Sequence, residues 1–263
     1  MQIGDGTRAL VTGASKGIGR ALAEALAARG ATVGLAARGE DELTALAGAL
    51  GSRAVTLPCD VGDAESVSGA IERFAAGTGG LELAIANAGI AHYGRFEDQD
   101  PELHERMTRV NWLGTVNTAR AALPHLRAGG GGHLVIVSSG AGLRAFPEAA
   151  VYGATKAAQR AFAEALRHEL AGSGVSVTTV LPGEIVSSLH DHEKATMPAW
   201  YRGDSQAAPA SSLASAVLAG IEADRRRVAY PREVSLLALN AVAPGLVDRL
   251  LRRLRGPSAA PRR

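Results

Sequence analysis

A chain of 263 residues with 46% apolar and 21% charged side chains has enough apolar matter for one large core and too much for a disordered polymer. Its formal charge of +2 is too small to make nucleic acid the main partner, although basic residues crowd the last third of the chain. Cys59 is the only cysteine, which excludes an intrachain disulfide, and residues 1–7 hold no apolar run of signal-peptide length, so a cytoplasmic protein is expected.

The first β-rich run, Arg8 to Thr12, leads directly into Gly13-Ala14-Ser15-Lys16-Gly17-Ile18-Gly19, and an Ala/Leu helix follows over Gly17 to Arg29. Glycines at these positions let a turn approach a pyrophosphate, and the helix start offers it free N–H groups and a positive dipole end. A tight turn with no ligand is the alternative, because glycine motifs also arise by accident. The next run, Thr32 to Ala36, ends at Ala37-Arg38 with no acid between Gly34 and Arg38. An acid there would bind a ribose 2′-hydroxyl; Arg38, with Lys16 beside it in the glycine loop, suits a 2′-phosphate instead. NADP(H) is therefore the expected cofactor, against the alternative that both cations are merely solvated.

Further along, helices are expected over Glu40 to Leu50, Ala64 to Ala76, Pro101 to Leu126, Ala150 to Ala171 and Ser211 to Ala223. Strands are expected at Ala54 to Pro58, Leu81 to Ala86, His133 to Ser138, Val175 to Leu181 and Arg227 to Tyr230. Gly30, Gly51, Gly77, Gly129 and Gly172 stand where positive-φ helix caps would fall. The alternation predicts an α/β fold, a doubly wound parallel sheet of about seven strands with helices on both faces, as one domain over 1–255 with a disordered tail at 256–263. Leu236 to Val247 is too short and too broken by Asn240 and Pro244 to span a bilayer, and reads as a buried helix or loop. The basic run Arg249 to Arg255 suits packing along the protein surface better than anchoring on an anionic membrane.

Tyr152 and Lys156 stand at i and i+4 early in a predicted helix, so both face one site, and a nearby cation favours the phenolate of a tyrosine that is otherwise a poor base. The pair alone is weak, but TGASKGIG at 12–19, Asp60-Val61, Ala86-Asn87-Ala88-Gly89, Val110-Asn111, Ser138-Ser139, YGATK at 152–156 and Pro182-Gly183 occur in order. With these motifs the chain resembles the short-chain dehydrogenase/reductase family, with a Rossmann-type fold, over roughly residues 7–231. The resemblance implies an NADP(H)-dependent oxidoreductase interconverting a carbonyl and an alcohol. Tyr152 would be the general acid and base, Ser139 rather than Ser138 would hold the substrate oxygen, and Asn111 would hold a water that links Lys156 to a proton path. It further implies that Asp60 meets the adenine and Asn87 steadies the fourth strand. Val61, Ala88, Gly89, Pro182, Gly183, Ile185 and Ser187 would lie along the cofactor, with Tyr152 and Lys156 also touching it. Ser187 stands where the family usually has threonine, four positions beyond Gly183. A homodimer or homotetramer built on the helices of Asn111 and Tyr152 is expected on the same ground.

The substrate end is less legible. Residues 184–210 fall where the family has a lid, and His92, Tyr93, Leu143, Phe146 and Trp200 are candidates for a pocket that takes a partly apolar ketone or aldehyde. His190-Asp191-His192-Glu193 lacks the spacing of a zinc motif and reads as solvated. A catalytically silent, NADP-binding regulatory protein is the main rival, since fold alone does not guarantee turnover. An epimerase or dehydratase is a weaker one, disfavoured by the glycine spacing and the chain length.

Overall fold

The structure is a computed structural model that describes residues 1–187, 189 and 207–255, the last six of these by backbone alone. Seven strands, β1 (Arg8–Thr12), β2 (Thr32–Ala37), β3 (Ala54–Pro58), β4 (Leu83–Ala86), β5 (Gly132–Val137), β6 (Val175–Pro182) and β7 (Arg227–Tyr230), form one sheet. Every pairing is parallel and the order is β3-β2-β1-β4-β5-β6-β7. The helices between them are α1 (Gly17–Ala28), α2 (Glu40–Leu50), α3 (Ala64–Thr78), α4 (Pro101–Met107), α5 (Gly114–Ala128), α6 (Ala150–Glu169) and α7 (Ala210–Glu222), and α8 (Pro244–Arg255) closes the described chain.

The expected doubly wound, Rossmann-like sheet is what forms, and side-chain alternation along β1 shows how. Ala9 and Val11 join a core with Leu22 and Leu26 of α1, Leu43 and Leu46 of α2 and Leu213 and Val217 of α7. Leu10, pointing the other way, joins Ile71 and Phe74 of α3, Ala122 and Leu126 of α5 and Leu166 of α6. Both faces of the sheet are thus covered, which is why its strands read as nearly continuous apolar runs.

Element ends differ from expectation by one or two residues, and three differences have physical causes. Gly77 lies inside α3, which runs on to Thr78 and is capped by left-handed Gly79 (φ 87°). Gly129 has φ −77°, and the positive φ expected there falls one residue later at Gly130 (81°). The helix expected over Pro101 to Leu126 is interrupted by a π-helical turn at Thr108–Leu113, an insertion that apolar periodicity cannot register.

The stretch from Leu236 is not buried as expected. Arg232–Ala241 is a 3₁₀ helix, whose period of three turns Val234 and Leu237 inward against Gly140 and leaves Leu236 and Leu239 on the outside, with Val242 and Leu246 also exposed beyond it. Among the described residues no helix is long and apolar enough to cross a membrane.

His133 on β5 is 1% exposed, and its Nε2 lies 2.7 Å from Thr178 Oγ1, whose single proton goes to the Arg225 carbonyl at 2.6 Å. The hydroxyl must therefore accept, so Nε2 carries the imidazole proton. Burial pushes the ring from its ordinary 6.5 down to about 4. Between those values the unfolded chain binds a proton that the folded chain refuses, so stability is full above pH 6.5 and falls as pH drops toward 4. The loss amounts to roughly 3 kcal/mol. Urea midpoints measured from pH 7.5 to 4.5 should fall less steeply for His133→Gln, which keeps a donor but cannot titrate; equal slopes would remove His133 as the cause.

Candidate active site

In the sheet order, β1 and β4 are neighbours although the chain leaves them in opposite directions, and the crevice beyond their carboxyl ends is where such folds take ligands. Thr12 and Asn87 stitch this crevice. Thr12 Oγ1 accepts from the Asn87 and Ala88 N–H groups at 3.0 and 3.2 Å, while Asn87 Nδ2 donates to the Thr12 carbonyl at 2.9 Å. The glycine loop is pressed against that stitch. A Cβ on Gly19 would lie 2.1 Å from the Gly13 carbonyl and 2.5 Å from Asn87 Nδ2, so no side chain fits. Gly13 and Gly17 take the left-handed region at φ 68° and 54°. Lys16, the residue before α1, gives the first turn no side-chain cap, which leaves its N–H groups to the cleft.

A cleft of about 870 Å³ runs from this loop to α6. It brings together Gly13, Ser15, Lys16, Gly17, Ile18, Gly19, Arg38, Asp60, Val61, Asn87, Ala88 and Gly89 at one end, and Ser139, Tyr152, Lys156, Pro182, Gly183, Ile185 and Ser187 at the other. Asp60 Oδ1 accepts from the Gly62 N–H at 2.9 Å and thereby shapes the turn after β3. Of the candidate substrate residues, Tyr93 and Phe146 line the cleft, whereas His92 and Leu143 are not part of its wall; Ile90, Leu189 and Leu237 are. Trp200, the His190–Glu193 run and most of the expected lid lie outside the described residues, as does the 256–263 tail. Among the described residues no cluster of three or more metal-ligating side chains comes together.

Tyr152 and Lys156, one helical turn apart in α6, are both buried, at 7% and 4% exposure. Lys156 Nζ stands 5.8 Å from the Tyr152 ring centre and donates to the Val137 carbonyl at 3.1 Å. Burial lowers Lys156 to about 7. Burial also raises the Tyr152 phenol, and a hydrogen bond with Ser139 works against that rise. The two adjacent serines divide their work. Ser138 Oγ donates to the Lys156 carbonyl at 2.7 Å and ties β5 to α6, whereas Ser139 Oγ caps the following turn by accepting from the Ala141 N–H and faces Tyr152.

Asn111 is fully buried one layer behind the cleft, in the π-helical turn. Its side chain clamps the Ile90 peptide, Oδ1 accepting at 2.8 Å and Nδ2 donating at 2.9 Å, and Nδ2 also reaches Thr155 Oγ1 at 3.1 Å. Its main-chain carbonyl accepts from Thr115 Oγ1 at 2.8 Å and from Gln159 Nε2 at 2.9 Å. Gln159 was not singled out from the sequence, and its signal was a polar residue on the inward face of α6, seven positions after Tyr152. Glu42 and Gly39, also unforeseen, line the glycine-loop end of the cleft, and Glu42 pairs with Lys16 at 3.1 Å.

Residues 7–198 match the family model for short chain dehydrogenase. The chain is 37% identical to an uncharacterized oxidoreductase of Staphylococcus aureus over 182 residues, 69% of this chain and 79% of that one. It is 39% identical to the glycine betaine reductase of Emericella nidulans over 187 residues, 70% of this chain but 15% of that much longer protein. Among solved structures, a short chain dehydrogenase from Burkholderia cenocepacia in complex with NADP aligns with TM-score 0.81 at 32% identity, covering 98% of this chain and 100% of that one. A short chain dehydrogenase/reductase from Burkholderia phymatum in complex with NAD aligns with TM-score 0.83 over the whole of both chains, and at 23% identity it speaks for the fold alone.

Because the Gly19 Cβ position is occupied by backbone, Gly19→Ala should lose more than tenfold in NADPH affinity and about 1–3 kcal/mol of stability, read by fluorescence titration and urea unfolding. Unchanged affinity would show that the loop does not hold the dinucleotide.

Proposed function

The chain belongs to the short-chain dehydrogenase family, and from that premise we propose that it is an NADP(H)-dependent enzyme interconverting a carbonyl and an alcohol. The observation that carries this reading is one cleft with an uncapped helix start and glycine loop at one end and Tyr152, Ser139 and Lys156 at the other. The residues fit the cofactor. Gly19 leaves no room for a side chain between loop and strand, the first-turn N–H groups of α1 suit a pyrophosphate, and Arg38 and Lys16 border the adenosine end where β2 offers no acid. Complexes of relatives with NADP and with 5-hydroxy-NADP, from Burkholderia cenocepacia and Thermococcus sibiricus, support NADP(H) over the NAD seen with the Burkholderia phymatum protein.

When bound, the nicotinamide supplies or accepts the hydride. In the reductive direction Tyr152 gives its phenolic proton to the substrate oxygen, and Ser139 hydrogen-bonds the same oxygen and holds it within reach. Burial favours the protonated phenol, which suits an acid; for the reverse reaction, the Lys156 ammonium one turn away offsets the charge that develops on Tyr152. Asn111 acts from behind, since its clamp on Ile90 fixes the strand-end backbone after β4 on which the substrate side of the cleft is built. Tyr93, Phe146 and Leu237 give that side an apolar wall, in keeping with a partly apolar ketone or aldehyde. On this reading the protein works in the cytoplasm as a homodimer or homotetramer through the helices of Asn111 and Tyr152, with residues 1–255 as one domain.

The test is NADPH oxidation with a panel of aldehydes, ketones, quinones and steroids, wild type beside Tyr152→Phe. Turnover should fall by about a thousandfold in the variant, with NADPH affinity within about twofold of wild type. NADPH binding without turnover by the wild type across the panel would favour a silent regulatory protein, and equal loss of binding and turnover in the variant would remove Tyr152 from the chemical step.

A further inference from the structure

The cofactor end of the cleft holds an acid as well as cations. Glu42, in the first turn of α2, reaches across to the glycine loop and pairs with Lys16 at 3.1 Å, and both side chains line the cleft with Arg38. Glu42 folds back over the start of its helix, and its carboxylate occupies the space beside Gly39 that a side chain there would have to share. Glu40 and Asp41 stand in the same first turn, which no side chain caps.

We propose that Glu42 is a specificity-determining residue that competes with the cofactor's 2′-phosphate for Lys16 and so restrains the preference for NADPH over NADH. Lys16 and Glu42 are 60% and 44% exposed, a setting in which an ion pair contributes little and exchanges partners readily. A 2′-phosphate, close to doubly charged at neutral pH, draws Lys16 away and leaves Glu42 unpaired beside a like charge. A 2′-hydroxyl leaves the pair intact. The acid therefore acts against one cofactor and is silent toward the other, and among the described residues of the cleft Arg38 carries a positive contribution to phosphate binding that Glu42 does not contest.

This inference rests on the NADP(H) reading, and the variants separate the two. Dissociation constants for NADPH and NADH are measured by fluorescence titration at low salt for wild type, Glu42→Gln, Lys16→Met, their double variant and Arg38→Ala. Glu42→Gln should tighten NADPH about threefold to fivefold with NADH changed less than twofold, and the gain should vanish in the Lys16→Met background. An unchanged NADPH/NADH ratio in Glu42→Gln, or a gain of equal size without Lys16, overturns the shared-lysine proposal while Arg38→Ala still weakens NADPH. If wild type prefers NADH and Arg38→Ala leaves NADPH affinity as it was, the NADP(H) reading itself fails.

Discussion

The site depends on the parting of the chain at β1 and β4. The two strands lie side by side but their connections leave toward opposite faces, so neither connecting helix covers the crevice between them. A crevice of this kind must keep its strand ends from fraying, because the connecting helices do not pack across them. Thr12 and Asn87 supply what is missing, exchanging hydrogen bonds from both side chains to the opposite backbone. The glycine loop then rests directly on Asn87, and its shape follows from lack of space rather than from preference.

The second half of the site is built by the same means, side chains holding backbone. Ser138 fastens β5 to α6, Asn111 fastens the π-helical turn to the segment after β4, and Thr115 and Gln159 both donate to the Asn111 carbonyl inside that turn. Tyr152 and Lys156 need only the pitch of α6 to face the same way, but their place against Ser139 and Val137 is set by these neighbours. A change at Gln159 would therefore reach the cleft through the turn and not through contact.

Much of this was legible in the sequence because the strands are covered on both faces and the glycines punctuate them. The seven strands follow from the alternation of β-rich and helical runs, and the glycine loop and Arg38 from motifs at strand ends, whereas Asp60, Asn87, Ser139 and the stretch from Pro182 to Ser187 are legible only through the family resemblance. What escaped notice depends on distance in three dimensions. Periodicity over Pro101 to Leu126 cannot show an inserted residue, so the π-helical turn and the role of Gln159 were hidden. Along the strand no acid stands between Gly34 and Arg38, while Glu42 returns to the same rim through one turn of helix. The apolar composition from Leu236 onward points to the interior, whereas a 3₁₀ period turns Leu236 and Leu239 outward and Val234 and Leu237 inward.

The departures from ordinary folding rules gather at the cleft. A lysine held down to about 7 by burial and a π-helical insertion each lower stability, and each lies on or directly behind the cleft wall. Elsewhere, the buried His133 is matched by a partner with a fixed hydrogen-bond direction and stays neutral. Among the described residues Lys156 has no acid to balance it: its Nζ bonds a neutral carbonyl, so a charge there is further favoured when a negative charge forms nearby, as on the Tyr152 oxygen when the phenol gives up its proton. The same burial that makes the pair expensive in the resting fold couples the two protonation states.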